Sequence, residues 1–170
     1  RRRARNAEIV ARRALDDLMV DASRSDDAAD TLRSRLPQLA ELIAAEGVGL
    51  WFDGEWTPLG NAPGRDLVGP LLRLAQDSPD GQVFHTDRLM DHLPDAPALT
   101  AQIAGVLIVP LSQRPRDFLF YFRPEAVRTL DWGGDPNKTY ETGPLGDRLT
   151  PRKSFAIWKE TVRDRSHPWS

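Results

Sequence analysis

The sequence predicts an α+β fold: an antiparallel sheet with helices gathered on one face and a long helix leading in. Three observations carry that expectation. From Ala7 to about Ala22, apolar residues return at helical spacing (Ala7, Ala11, Ala14 and Leu18, with Val10, Leu15 and Met19 beside them), and Arg12, Arg13, Asp16 and Asp17 take the other faces. Val48-Gly49-Leu50-Trp51-Phe52 and Glu55-Trp56-Thr57-Pro58-Leu59 flank Asp53-Gly54, a pair that supplies the positive backbone angles of a two-residue hairpin turn. Two apolar runs, Gly105 to Leu111 and Asp117 to Arg123, then read as strands. Helices, a hairpin, a helix and further strands, in that order, fit a sheet with its helices segregated from it. A plan of this kind hosts many unrelated functions.

The remaining elements follow from local chemistry. Four arginines among the first five residues would sit on the positive end of a helix dipole, so the first helix is expected to begin upstream. No methionine opens the chain, and it reads as a segment of a longer protein. Ser25, with Asp26 and Asp27, is a good helix start: a capping hydroxyl followed by two carboxylates. Leu36-Pro37 should break that helix, because an interior proline loses a hydrogen bond and clashes with the preceding turn, at a cost of about 3 kcal/mol. A further helix through Leu39, Leu42 and Ile43 is expected to stop at Gly47. Another spans about Asp66 to Ala75, a short strand lies around Val83, and shorter pieces run through Met90 and Leu99.

Composition excludes several functions. The chain has 170 residues, enough for one domain with a real core; 40% are apolar, 28% are charged, and the net charge is -2. That balance gives no support to nucleic-acid binding. With no cysteine, thiolate catalysis, thiolate metal sites, disulfides and thioether attachment of a cofactor within this chain are chemically impossible. A reducing cytoplasm fits best. The apolar run at Val106 to Pro110 is far too short to span a membrane, and the arginine-rich start lacks the apolar core of a secretory signal.

The last third of the chain carries its most specific motifs. Phe118-Leu119-Phe120-Tyr121-Phe122-Arg123-Pro124-Glu125, Trp132-Gly133-Gly134, Pro151-Arg152-Lys153-Ser154-Phe155 and Ser166-His167-Pro168-Trp169 occur in this order. Together they resemble the PHY domain of bacterial phytochromes: a strand exit, a tryptophan-glycine tongue motif, a Pro-Arg-x-Ser-Phe motif and a closing segment. The resemblance covers essentially the whole chain; upstream of these motifs it is only to a GAF-like layout. It implies a connector helix at 1–24 and a PHY domain at 25–170, with a tongue at about 124–155 and a C-terminal helix at about 154–164.

What the resemblance implies is a signal relay, not an enzyme. The tongue reaches to a neighbouring GAF domain that holds a bilin, biliverdin in bacterial members, and refolds from hairpin to helix when light isomerises it. By this similarity Arg152 forms a salt bridge to an aspartate of that domain in the dark form, and Ser154 replaces it in the light form. Pro151, Phe155, Trp132, Gly133 and Gly134 are further tongue contacts, and Trp169, like Trp132, changes its packing. This chain itself holds no cofactor. Its implied partners are the GAF domain in cis, a downstream output domain such as a histidine kinase, and a second copy paired through helices.

The tongue residues by themselves permit two folds. Val127 and Thr129 are β-branched and suit a strand, whereas Pro124-Glu125 is a good first helical turn. Thr150 caps a helix that has Pro151 in first position, or Pro151 holds an extended segment and Ser154 caps a later helix. Asp135-Pro136-Asn137 and Gly143-Pro144-Leu145-Gly146-Asp147 are loop chemistry, and Phe155, Trp158 and Val162 return at helical spacing to about Arg163. Driving a two-state element from 1:99 to 99:1 takes about 5.5 kcal/mol. Losing one partner of a buried ion pair costs about 3 to 5 kcal/mol, whereas an exposed pair is worth about 0 to 1. Arg152 biases the switch only if its contact is desolvated.

Plainer readings stand beside these. Arg152 is a solvated arginine, Ser154 a simple cap and Trp132 a loop residue if the resemblance is set aside. Trp51 and Trp56 read as sheet packing, and His85, His92 and His167 lack metal-ligand spacing. Asp53 and Glu55 flank a turn and can be drawn as a hydrolase's paired carboxylates, with no nucleophile elbow or phosphate loop to support them. The remaining alternatives are a GAF-type small-molecule-binding module and a dimerisation module.

Overall fold

The computed structural model describes residues 2–24, 26–79, 81–111, 114–126, 141–142, 148–149 and 163–169. Its centre is a five-stranded antiparallel sheet in the order β2-β1-β5-β4-β3, built from β1 (Gly47–Phe52), β2 (Glu55–Gly60), β3 (Phe84–Thr86), β4 (Gly105–Leu111) and β5 (Arg114–Arg123). The expected hairpin is β1-β2, with Trp51 opposite Trp56. Its turn has positive φ at both Asp53 (51°) and Gly54 (77°), the signature of a type I′ turn. The Asp53 N–H donates to the buried Asp117 carboxylate at 3.1 Å, fastening the turn to β5.

Helix α1 (Arg2–Ser23) covers the expected span. Ala7, Ala11, Leu15 and Ala22 are its fully buried positions, while Val10 faces outward with Ile9 and Val20. The buried line is thus rotated from the expected one, toward the larger Leu15. The next helix, α2 (Ala28–Ser34), starts later than Ser25 predicts: its cap is Asp27, whose carboxylate accepts from the Asp30 N–H at 3.1 Å. A carboxylate next to the helix gains both this bond and the dipole. The break at Leu36-Pro37 is present, and proline lies in the first turn of α3 (Leu36–Ala40), where its missing N–H costs nothing. That helix stops short of the expected Gly47: Leu42 is exposed, and Gly47 already belongs to β1. The helix expected at 66–75 is a 3-10 turn, Arg65–Leu67, followed by α4 (Gly69–Asp77), again with proline in its first turn. After β3 come a 3-10 turn at Leu89–Asp91 and α5 (Pro97–Thr100).

The α+β class and the antiparallel sheet are as the sequence predicts, but helical cover is not confined to one face. Val48, Leu50, Phe52, Leu107, Val109, Leu119 and Tyr121 pack with the buried residues of α1, α2 and α3. Val106, Ile108, Phe118, Phe120 and Phe122 point the other way and pack against Leu71 and Ala75 of α4, Leu89, and Leu99 of α5. The reason is visible in β4 and β5, whose residues are apolar at successive positions rather than alternating. A strand apolar on both faces must be covered on both. On the α1 side the Tyr121 hydroxyl donates to the Leu39 carbonyl at 2.6 Å, joining sheet to helices, and burial pushes its phenol pKa upward.

Candidate functional site

The chain leaves the sheet at the end of β5 and comes back at residue 163, and the described residues on either side of that gap meet. The Ala126 N–H donates to the Arg165 carbonyl at 2.8 Å. The Ser166 N–H donates to the Asp87 carbonyl, also at 2.8 Å, and an Arg165 Nη lies 3.3 Å from the Asp87 carboxylate. Trp169 is buried, and its indole N–H donates to the Thr86 carbonyl at 2.9 Å. The returning segment is therefore seated along the end of β3 and against β4.

Arg123 closes this base. In β5 it shares the parity of Leu119 and Tyr121, so its side chain leaves the sheet on the α1–α3 side. Its Nε donates to the Ala44 carbonyl at 2.7 Å, and one Nη donates to the carbonyls of Pro168 (2.5 Å) and His167 (3.2 Å). The guanidinium carbon sits 4.2 Å from the centre of the Trp169 ring, within cation-π range. Arg123 is 8% exposed, and desolvation lowers its pKa. Gly105 in β4 makes the seat possible: a Cβ there would overlap Ser166 Oγ and lie 2.8 Å from Ser166 Cβ.

Of the site residues expected from the sequence, the structure places Trp169 in this base. Trp132, Gly133, Gly134, Pro151, Arg152, Ser154 and Phe155 lie outside the described residues, as do residues 154–162 of the expected C-terminal helix. Within the expected tongue, β6 (Glu141–Thr142) pairs antiparallel with β7 (Arg148–Leu149), Glu141 opposite Leu149 and Thr142 opposite Arg148. Past the gap, Asp164 has φ 60°, a left-handed conformation uncommon for a residue other than glycine. Sequence reading placed Arg123 in a strand-exit motif without giving it a role. The available signal was the arginine that ends the apolar run Phe118 to Phe122, where burial demands multiple acceptors.

The other candidates have structural partners. Trp56 packs edge-on to Phe120 and Phe122, with its N–H bonded to the Pro63 carbonyl at 2.9 Å, and Trp51 lies under Arg65. His85 is 3.5 Å from Glu8, His92 packs edge-on to Phe84, and the His167 carbonyl serves Arg123. Glu55 forms an ion pair with Arg33 at 2.8 Å, and the Asp53 N–H donates to the Asp117 carboxylate, so the turn that carries both acids is tied to α2 and β5. Among the described residues no group of three potential ligands is placed to hold a metal, and no helix is long and apolar enough to cross a membrane. An open groove of about 340 Å³ lies between α1 and the lead-in to β3, lined by Glu8, Ile9, Arg12, Gly81, Gln82 and Val83. It is beside the sheet's edge rather than beneath the sheet, where a GAF-type ligand cavity is expected.

Comparison with known proteins agrees with the C-terminal motifs. A family model described as "Phytochrome region" (PHY) matches residues 11–170. Cyanobacterial phytochrome A of Nostoc sp. is 37% identical over 158 residues, 91% of this chain and 20% of that protein. The bacteriophytochrome of Pseudomonas aeruginosa is 34% identical over 163 residues, 95% of this chain and 21% of that protein. Phytochrome B of Arabidopsis thaliana is 32% identical over 135 residues, 78% of this chain and 11% of that protein. The chain spans about a fifth of the length of the bacterial relatives it matches.

Proposed function

The chain belongs to the phytochrome-region (PHY) family, and from that premise we propose that it is the signal-transducing domain of a red/far-red photoreceptor. It lies beside a GAF domain that binds biliverdin and ahead of an output domain, a histidine kinase. Its role is relay, with no catalysis of its own, and it acts in the cytoplasm, with helix-mediated pairing to a second copy. The segment 124–155 is the tongue that shields the bilin and refolds between hairpin and helix as the pigment isomerises. Arg152 holds the dark form through an aspartate of the GAF domain, and Ser154 takes over in the light form.

The observation that carries this reading is the family match through residue 170, which includes both the Trp132-Gly133-Gly134 and Pro151-to-Phe155 motifs. The base geometry supports it: Ala126 and Arg165 are one hydrogen bond apart, so the intervening chain begins and ends at one place. A segment anchored so can change its internal structure without altering where the rest of the domain sits.

The test uses the intact parent photoreceptor loaded with bilin. Arg152→Ala is expected to shift the dark equilibrium away from the resting form by about tenfold or more, above what an exposed pair supplies. Ser154→Ala is expected to shorten the lifetime of the light form. Absorbance spectra and dark reversion indistinguishable from wild type in both variants would sink the assignment.

A further inference from the structure

Arg123 differs from an ordinary buried arginine in what it bonds. Among the described residues its hydrogen bonds go to main-chain carbonyls alone: Ala44, His167 and Pro168. Ala44 lies between α3 and β1, whereas His167 and Pro168 belong to the closing segment. One guanidinium therefore joins three stretches remote in sequence: the end of β5, the lead-in to β1 and the returning chain. Carbonyls do not titrate and carry no net charge, so geometry governs the contact. The planar fork points Nε one way and Nη another while its face rests on Trp169. A lysine ammonium offers donors at a single point and cannot span Ala44 and Pro168 while stacking on the indole.

We propose that Arg123 is a positioning residue that clasps residues 163–169 to the sheet as a unit able to open separately from it, and that ties this closing segment to the loop preceding β1. The inference rests on the relay reading only for its purpose; the clasp itself is defined by described residues. When it opens, the bonds lost together are Ala126 to Arg165, Ser166 to Asp87, and the Trp169 indole to Thr86. The bonds between β1, β5 and β4 stay. Such separate opening is expected of a short segment fastened to a well-packed sheet by bonds outside the sheet's own ladder.

Residue-resolved hydrogen exchange on the 170-residue chain, without bilin or light, tests the proposal. In Arg123→Met, the Ala126 and Ser166 amides and the Trp169 indole are expected to exchange at least about tenfold faster, with β1 and β4 amides within about twofold of wild type. Arg123→Lys should fall between the two. Acceleration spread equally through the clasp and the sheet makes Arg123 an ordinary core residue and overturns the proposal, as does no acceleration. If Arg123→Met does not fold, Arg123→Lys decides by the same comparison. Because no photochemistry is read, this experiment and the Arg152 experiment fail independently.

Discussion

Phe120→Ala is expected to destabilise the domain by about 3 to 5 kcal/mol, the range for emptying a fully packed aromatic site. Phe120 is completely buried in the central strand β5, with β1 on one side and β4 on the other. Its ring stacks on Phe122 at 6.0 Å between centres, meets Trp56 edge-on at 5.5 Å and Phe118 at 6.1 Å. Trp56 is fixed by its own hydrogen bond and the backbone on both sides is laddered, so collapse into the cavity is limited. For a domain of this length the melting temperature should fall by roughly 6 to 20 °C, a shift that calorimetry resolves. A loss below about 1 kcal/mol would mean that this face is loosely filled. The outcome bears on function: a small-molecule module needs room on a face of the sheet, and these rings occupy it.

Gly105→Val is expected to cost about 3 to 5 kcal/mol, and for a different reason. The new Cβ and its methyls would take the space of Ser166, and the nearby Thr86 carbonyl leaves no room to slide. The closing segment must lift, losing the Ser166 and Trp169 hydrogen bonds, about 1 kcal/mol each, and the burial of a tryptophan, about 1.5 to 3 kcal/mol. Trp169 fluorescence should shift red in parallel with the loss of stability measured in urea. Adding Ser166→Gly in the same chain should recover part of the loss, since it vacates the contested volume. If the double variant is no better than Gly105→Val alone, the clash lies elsewhere in β4.

Legibility in the sequence follows the range of the interaction. Asp53-Gly54 fixed the hairpin because a type I′ turn is a two-residue requirement, and Leu36-Pro37 marked the helix break because proline acts on its own backbone. The cap of α2 was misplaced by two residues because serine and aspartate cap equally well and only the folded chain selects Asp27. Two-sided cover was missed although its signal was present: Val106-Leu107-Ile108-Val109 and Phe118 through Phe122 are apolar without alternation. At the site, Ser166-His167-Pro168-Trp169 stood out as a motif, but nothing in it marks the seat of Trp169 on Thr86 and Arg123. Arg123 was not assigned a role, since its carbonyl partners lie 44 or more residues away and carbonyls leave no mark in a sequence.

The closing segment also has a consequence for how molecules of this protein meet one another. A sheet's outer strands are open templates for pairing with another chain unless something blunts them. At one margin β2 carries Pro58, which has no N–H to offer. At the other, the carbonyls of Thr86 and Asp87, at the end of β3, are occupied by Trp169 and Ser166. Residues 166–169 thus occupy two main-chain acceptors at the end of β3, and Pro58 withholds a donor in β2; both reduce what the sheet's outer strands offer to another chain. Seating Trp169 and occupying the last acceptor of β3 are, in this domain, the same physical event.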